Sequence, residues 1–397
     1  MNKILIKNVL CNGHKANVLI EGNRFKSLNA PADTQADKIV EAEGMAMLPP
    51  FYNMHTHMAM SLLRGYADDM ELHKWLTEYI WPYENKMTSD DMYEGSRLAI
   101  REMVKSGSVF FNDMYFDIDR TIKAVEDAGV RAAIGITFLN SHSKALQAEK
   151  LDMLEHWSDP TGGRICLTIA PHAIYTVDAD LFSKCAAISR EKGMKLHTHL
   201  AETAVEVRDC IKEHGTTPVR YLDSLGVLAD NVVLAHVVHV DREEAGILAE
   251  RGVTVVHCPC SNMKLSSGIF PYKMLAEAGV KITLGTDGDS SNNCLDMREE
   301  MKFAALLAKV GSGDPAALPA DEVFDMATRN GAEAFGIDAG VIAEGKLADA
   351  LLINLNDERM TPCYNLISNW VYSADTSCID TVICDGRILM QNRELKF

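Results

Sequence analysis

Short apolar runs alternate with amphipathic stretches through the middle of the 397-residue chain, under one recurring punctuation. Gly107, Gly129, Gly193, Gly252 and Gly279 each close a helical pattern at a position suited to a left-handed C′ residue, and a β-rich run follows each. Those runs are Ser108–Tyr115, Val130–Leu139, Met194–Leu200, Val253–Cys258 and Val280–Thr286; Ala46–Met54, Ile165–Ala170 and Val232–Val238 read the same way. The eight predicted strands are separated mostly by amphipathic helices such as Asp90–Lys105, Asp178–Lys192 and Asp241–Arg251. Continuous apolar runs suit strands buried on both faces of a parallel sheet. Eight such units predict an α/β fold, a (β/α)8 barrel of the TIM type, over residues 49–344. An open doubly wound sheet competes, but no GxGxxG follows any strand.

The two ends differ from the middle. Ile4–Val9, Ala16–Ile20 and Lys38–Val40 precede the first barrel strand, and Asp349–Ile353, Thr381–Cys384 and Arg387–Met390 follow a helical stretch at Ala320–Phe335. Neither end holds a core of its own, so residues 1–48 and 345–397 are predicted to combine in one small β-sandwich. The insert Leu62–Thr88 follows the first barrel strand and carries Trp75, Tyr79, Trp81 and Tyr83. Barrel sites lie at the C-terminal ends of the strands, so this insert is expected to roof one.

Charge narrows the partners. The chain has 39 Lys and Arg against 56 Asp and Glu, a net −17, which repels phosphate backbones and anionic membranes. No nucleic acid and no membrane are expected. The ten cysteines are scattered without a CxxC pair and read as reduced thiols. Lys7 interrupts any signal-like apolar stretch, and no run reaches the roughly 18 apolar residues of a membrane span, so the expected location is cytoplasmic.

Candidate chemistry gathers at the strand ends. His55 and His57 end the first barrel strand, and side chains two apart on a strand share a face, so both can meet one ion. His197, His199 and Glu202 end the fifth. By period the two histidines are equally good ligands; the one nearer the mouth is favoured, the other being a hydrogen-bonded core histidine. Glu202, just beyond, can reach a substrate above the ion. His236 and His239 close the sixth strand, and histidines three apart diverge, so at most one faces the site. Asp287 ends the eighth apolar run as a hard ligand or base, with Asp289 as a turn-forming competitor. The strand ends thus converge on His55, His57, His199 and Asp287, with Glu202 and His236 close by. Three neutral imidazoles and a carboxylate suit zinc, with one position left for water. Cys258 and Cys260 are expected to pack in core or loop, and His73, His142, His156 and His214 join no constellation and are expected at the surface.

HxH on strand one, HLxE on strand five, AH on strand six and GTDG followed by SNN on strand eight together resemble the amidohydrolase superfamily. The similarity is greatest to its branch of deaminases acting on S-adenosylhomocysteine, 5′-methylthioadenosine and related 5′-modified adenosines. Ile80–Glu84, Ala170–His172, Ser261–Leu265 and Glu344–Asp349 resemble that branch too, so the likeness covers essentially the whole chain. It implies a barrel with a terminal β-sandwich, one zinc ion per subunit (or another divalent metal such as iron), and a homo-oligomer. It picks His199 over His197 and His236 over His239. With His172 instead of a lysine at the fourth strand's end, no bridging carbamate is implied.

The implied activity is hydrolytic deamination of the 6-amino group of a small-molecule nucleoside, giving an inosine-type product and ammonia. Glu84 and His172 match positions that hold the ribose hydroxyls, under a roof that includes Trp75. Asp287 would take the proton of the attacking water, His236 would orient that water, and Glu202 would protonate ring N1. One alternative keeps the chemistry but changes the heterocycle to guanine, a pterin or an s-triazine. Another is a catalytically inactive nucleoside-binding relative, against which the intact set Glu202, His236 and Asp287 speaks. Relatives that accept a homocysteine tail carry arginines after the third strand. Thr137–Lys150 has none, only Lys144 and Lys150, and a lysine cannot supply a bidentate fork. An uncharged 5′ group is therefore favoured.

Overall fold

A computed structural model describes residues 2–397. Eight parallel strands form its inner wall: Phe51–Thr56, Ser108–Tyr115, Arg131–Phe138, Ile165–Pro171, Leu196–Leu200, Val232–His236, Thr254–His257 and Lys281–Leu284. First and last meet at the mouth, where the Asp287 amide donates to the His55 carbonyl at 2.9 Å. The Asn53 side chain binds Thr286 twice, accepting from its amide (3.0 Å) and donating to Oγ1 (2.7 Å). Gly285 permits this approach, since a Cβ there would lie 2.8 Å from the His55 amide nitrogen.

The outer helices start on side-chain caps that the sequence carries. Thr88 and Asp91 form a capping box for Ser89–Lys105, Asp178 caps Ala179–Glu191, and Asp241 with Glu244 boxes Arg242–Arg251. The five punctuating glycines all adopt positive φ, from +64° to +94°. Phe111, Phe138, Phe182, Leu234 and Trp370 fill the layer around the barrel wall, fully buried. Each such side chain stabilises the fold by roughly 1.5–3 kcal/mol. No helix among the described residues is long and apolar enough to cross a membrane.

Two predicted elements are divided. Ala46–Met54 is not one strand: Met45–Leu48 belongs to the terminal sheet and Phe51–Thr56 to the barrel. Pro49 and Pro50 stand between them, and proline cannot donate to a ladder. The helical stretch Ala320–Phe335 breaks at Thr328 (φ −126°, ψ −91°) into Ala320–Ala327 and Arg329–Ala334.

Both termini feed one mixed nine-stranded sheet. Lys3–Cys11 pairs with His14–Glu21 along one edge and with Lys38–Glu41 and then Met45–Leu48 along the other; Ala350–Asn354, from the C-terminal part, pairs with Met45–Leu48. A buried polar clasp ties this sheet to the barrel. Asp349 Oδ2 accepts from Tyr52 Oη (2.9 Å) and Arg131 Nε (3.1 Å), its Oδ1 accepts from the Asp385 amide (2.6 Å), and Arg131 Nη2 reaches Asp385 (2.6 Å). Removing one partner of such a buried pair costs about 3–5 kcal/mol, because the other charge is left stranded.

Glu300 makes stability pH-dependent. It lies buried on the helix Met297–Ser312 and accepts from the Cys260 amide (3.1 Å) and Asn292 Nδ2 (2.7 Å), with no cation beside it; burial pushes its carboxyl up to about 8. The unfolded chain releases this proton near pH ~4.3, whereas the folded chain keeps it until about 8. Between those values the native state binds more protons, so this contribution falls as pH rises. Tm measured from pH 5 to 8.5 should therefore decline less steeply in Glu300→Gln than in the native protein. Parallel declines would contradict this account.

Candidate active site

The fifth and sixth strands pair so that His199 stands opposite Ala235 and Leu200 opposite His236, which brings both histidines to the mouth. His55 and His57 arrive from the first strand, whose pairing register shifts between Asn53 and Thr56, and Asp287 follows the eighth. His236 (φ 74°) and Asp287 (φ 61°) both occupy the left-handed region, a local strain of about 1–3 kcal/mol each that tends to concentrate at functional sites. Gly288 keeps the next turn against His57, where a Cβ would lie 3.2 Å from that of the histidine.

The donor atoms of His55, His57 and His199 lie within 4.8 Å of one another, as do those of His55, His236 and Asp287. Nδ1 of His57 donates to the Met114 carbonyl (2.6 Å) and Nδ1 of His199 to the His172 carbonyl (2.8 Å). In the neutral rings both Nε2 atoms therefore present lone pairs, and they face each other at 3.3 Å. Asp287 Oδ1 stands 3.2 Å from His57 Nε2 and 3.4 Å from His55 Nε2, which is buried without a hydrogen bond. Lone pairs and a carboxylate oxygen converging on one point require positive charge there, and this donor set fits a divalent metal ion. In the metal-free protein a proton supplies that charge. Burial opposes it, yet the hydrogen bond and charge of Asp287 push His57 up to about 9, while Asp287 is held well below the usual carboxylate range against its own burial.

Behind this cluster, His197 Nε2 lies 3.0 Å from His55 Nδ1, and its Nδ1 takes a 3.1 Å bond from Asn112. Asp287 Oδ2 accepts from Ser261 (2.6 Å) and Ser291 (3.0 Å). Glu202 is buried, its Oε2 3.9 Å from His236 Nε2, and burial raises its pKa. His236 Nδ1 is fixed by Asn262 Oδ1 at 2.9 Å. Asp289 points away, its carboxylate bound by Arg64 at 2.7 Å.

A cavity of about 910 Å³ opens above these groups and is lined by Glu84, His172, Glu202 and Trp75 among others. Tyr115 Oη donates to Glu84 (2.7 Å) and Thr176 Oγ1 meets His172 Nδ1 (2.9 Å). Short helical segments form the insert. Trp75 is buried, with its indole N–H on the Ala67 carbonyl (3.0 Å), and Trp81 lines the cavity. Tyr79 does not line it and packs into the insert's own apolar cluster. His142, expected at the surface, lines the cavity instead.

Sequence reasoning did not single out Asn112, Tyr115 or Glu206. Glu206 accepts from the amides of Ala201 (2.9 Å) and Glu202 (2.8 Å), where Ala201 has φ 51°. Ala201's carbonyl in turn receives the amides of Val238 (3.0 Å) and His239 (2.9 Å), so one turn sets Glu202 relative to His236. The Thr203-to-Glu206 spacing is a legible capping signal, but its use as a clamp on the preceding turn is not.

A parallel barrel with imidazoles and a carboxylate converging at its C-terminal mouth is the layout of a metal-dependent barrel hydrolase. The sequence pattern described as the Amidohydrolase family matches residues 46–389, and the chain belongs to that family. It is 45% identical over 387 residues to a 5'-deoxyadenosine deaminase of Methanothermobacter thermautotrophicus, covering 96% of this chain and 91% of that one. It is likewise 45% identical over 390 residues to a 5-methylthioadenosine/S-adenosylhomocysteine deaminase of Syntrophomonas wolfei, covering 96% and 90%. Among solved structures, an adenosine deaminase from Xanthomonas campestris with bound zinc superposes with a TM-score of 0.92 at 32% identity, covering 99% of this chain and 93% of that one.

Proposed function

We propose that the protein hydrolyses the 6-amino group of an adenosine-type nucleoside bearing an uncharged 5′ group, releasing ammonia and an inosine-type product. The observation that carries this reading is the buried Glu202 beside His236 at the rim of the His55, His57, His199 and Asp287 cluster. One zinc ion, or another divalent ion such as iron, held by those four residues would supply Lewis acidity toward water at neutral pH. Asp287, with Oδ2 anchored by Ser261 and Ser291, receives the proton of the attacking water. His236, its Nε2 4.0 Å from that oxygen, orients the water. Glu202, whose burial favours the protonated form, delivers a proton to ring N1 as C6 becomes tetrahedral. Glu84 and His172 hold the ribose hydroxyls, while Trp75 and Trp81 cover the sugar and shed water.

Glu202→Gln should retain its metal and lose on the order of 10²–10⁴-fold in kcat, the scale of a general acid–base group. Metal analysis alongside steady-state ammonia release checks this; full activity, or loss of metal, would refute the proton-transfer role.

Neither arginine nor lysine lines the cavity among the described residues. Arg64 is held by Glu102 and Asp289, and the Lys150 ammonium rests on the Thr137 carbonyl at 2.5 Å. An unpaired tail carboxylate is costly in such a pocket, whereas a methyl or methylthio group gains only ~1 kcal/mol from the apolar roof. kcat/KM is therefore expected to run 5′-deoxyadenosine or methylthioadenosine first, adenosine next and S-adenosylhomocysteine last. S-adenosylhomocysteine matching or exceeding adenosine would overturn the order.

A further inference from the structure

Asp117 spends its side chain in an unusual way. It occupies the N-cap position of the helix Ile118–Ala128, where an aspartate ordinarily accepts a hydrogen bond from the first turn. Here it makes no such cap, adopts φ 44°, and stands, exposed, among the residues that line the cavity. Its partner there is the Ser89 hydroxyl, and no lysine or arginine pairs with it. Both the missing cap and the left-handed backbone cost stability, and that cost falls on an acidic residue of the cavity lining.

The topology says which part of a nucleoside this carboxylate meets. Glu202, His236 and Asp287 leave the fifth, sixth and eighth strands, so the reacting base lies on that side of the mouth. Asp117 follows the second strand, two residues beyond the Tyr115 whose hydroxyl holds Glu84, and so stands on the ribose side. Phe116 and Trp81 also line the cavity there, and aromatic faces attract cations. Lys150 stays outside the lining, with its head on Thr137 and 3.4 Å from His142 Nδ1.

We infer that Asp117 is a specificity residue for a cationic 5′ substituent, and that adenosines carrying a 5′-ammonium or comparable positive group are a further substrate class. This inference rests on the proposed deamination, and the test separates the two. The metal-loaded enzyme is assayed below pH 7, where an aliphatic amine is charged, with 5′-amino-5′-deoxyadenosine, adenosine and 5′-deoxyadenosine. In the native protein the kcat/KM ratio of the amine to adenosine, which are nearly isosteric, is expected to be about three to five, the scale of one exposed ion pair. The ratio should shrink toward one in 0.5 M salt and fall to one or below in Asp117→Asn. Deamination of adenosine and 5′-deoxyadenosine without preference for the amine, or a preference untouched by Asp117→Asn, overturns the inference and leaves the proposed function standing. No ammonia from any of the three overturns both.

Discussion

Two imidazole lone pairs pointing at one another across 3.3 Å, with a carboxylate oxygen beside them, cannot be a resting arrangement without positive charge between them. That constraint organises the mouth of the barrel. Backbone carbonyls of Met114 and His172 fix the ring nitrogens that face away, and Ser261 and Ser291 hold the far oxygen of Asp287. His55 is braced from behind by His197, which Asn112 holds in turn. These supports come from the second, fourth and fifth strands and from the turns after the seventh and eighth, so the closed barrel is what makes the cluster possible.

Closure depends on features far from the chemistry. Gly285 lets the eighth strand's end reach the first, and the Asp349–Arg131–Asp385 clasp secures the terminal sheet against the barrel at Tyr52. The pair Glu202 and His236, to which we assign proton transfer and water orientation, is built in the same indirect manner. Glu206 fixes the turn carrying Glu202, and that turn's carbonyl fixes the strand exit carrying His236. The cavity above combines an apolar roof with carboxylates and histidines, and neither lysine nor arginine is among its described lining.

Much of this was legible in the sequence, for identifiable reasons. Barrel strands are continuous apolar runs, five of them entered through glycine-marked helix ends, so their order and the residues at their ends can be read directly. Ala46–Met54 merged two strands because apolar character runs through it, although Pro49 and Pro50 carried the break. The relation of His197 to His199 is hidden from periodicity, since both share a face; contacts to Asn112 and to the His172 carbonyl distinguish them, and these come from other strands. Asn112, Tyr115, Glu206 and Asp117 were missed for a related reason. Each acts through a partner remote in sequence or through a backbone conformation that residue identity does not announce. His142 reads as a surface residue because it joins no constellation in the sequence, yet it lines the cavity with Leu139, Asn140 and Ser141.

The central claim is that one ion is held by His55, His57, His199 and Asp287. A crystal structure of the protein loaded with zinc, with anomalous differences measured across the zinc edge, tests it most directly. The account predicts a single peak bound by Nε2 of the three histidines and by the Asp287 carboxylate at roughly 2.0–2.2 Å. A second peak in the mouth, ligation by His197 in place of His199, or no peak among these residues would contradict it.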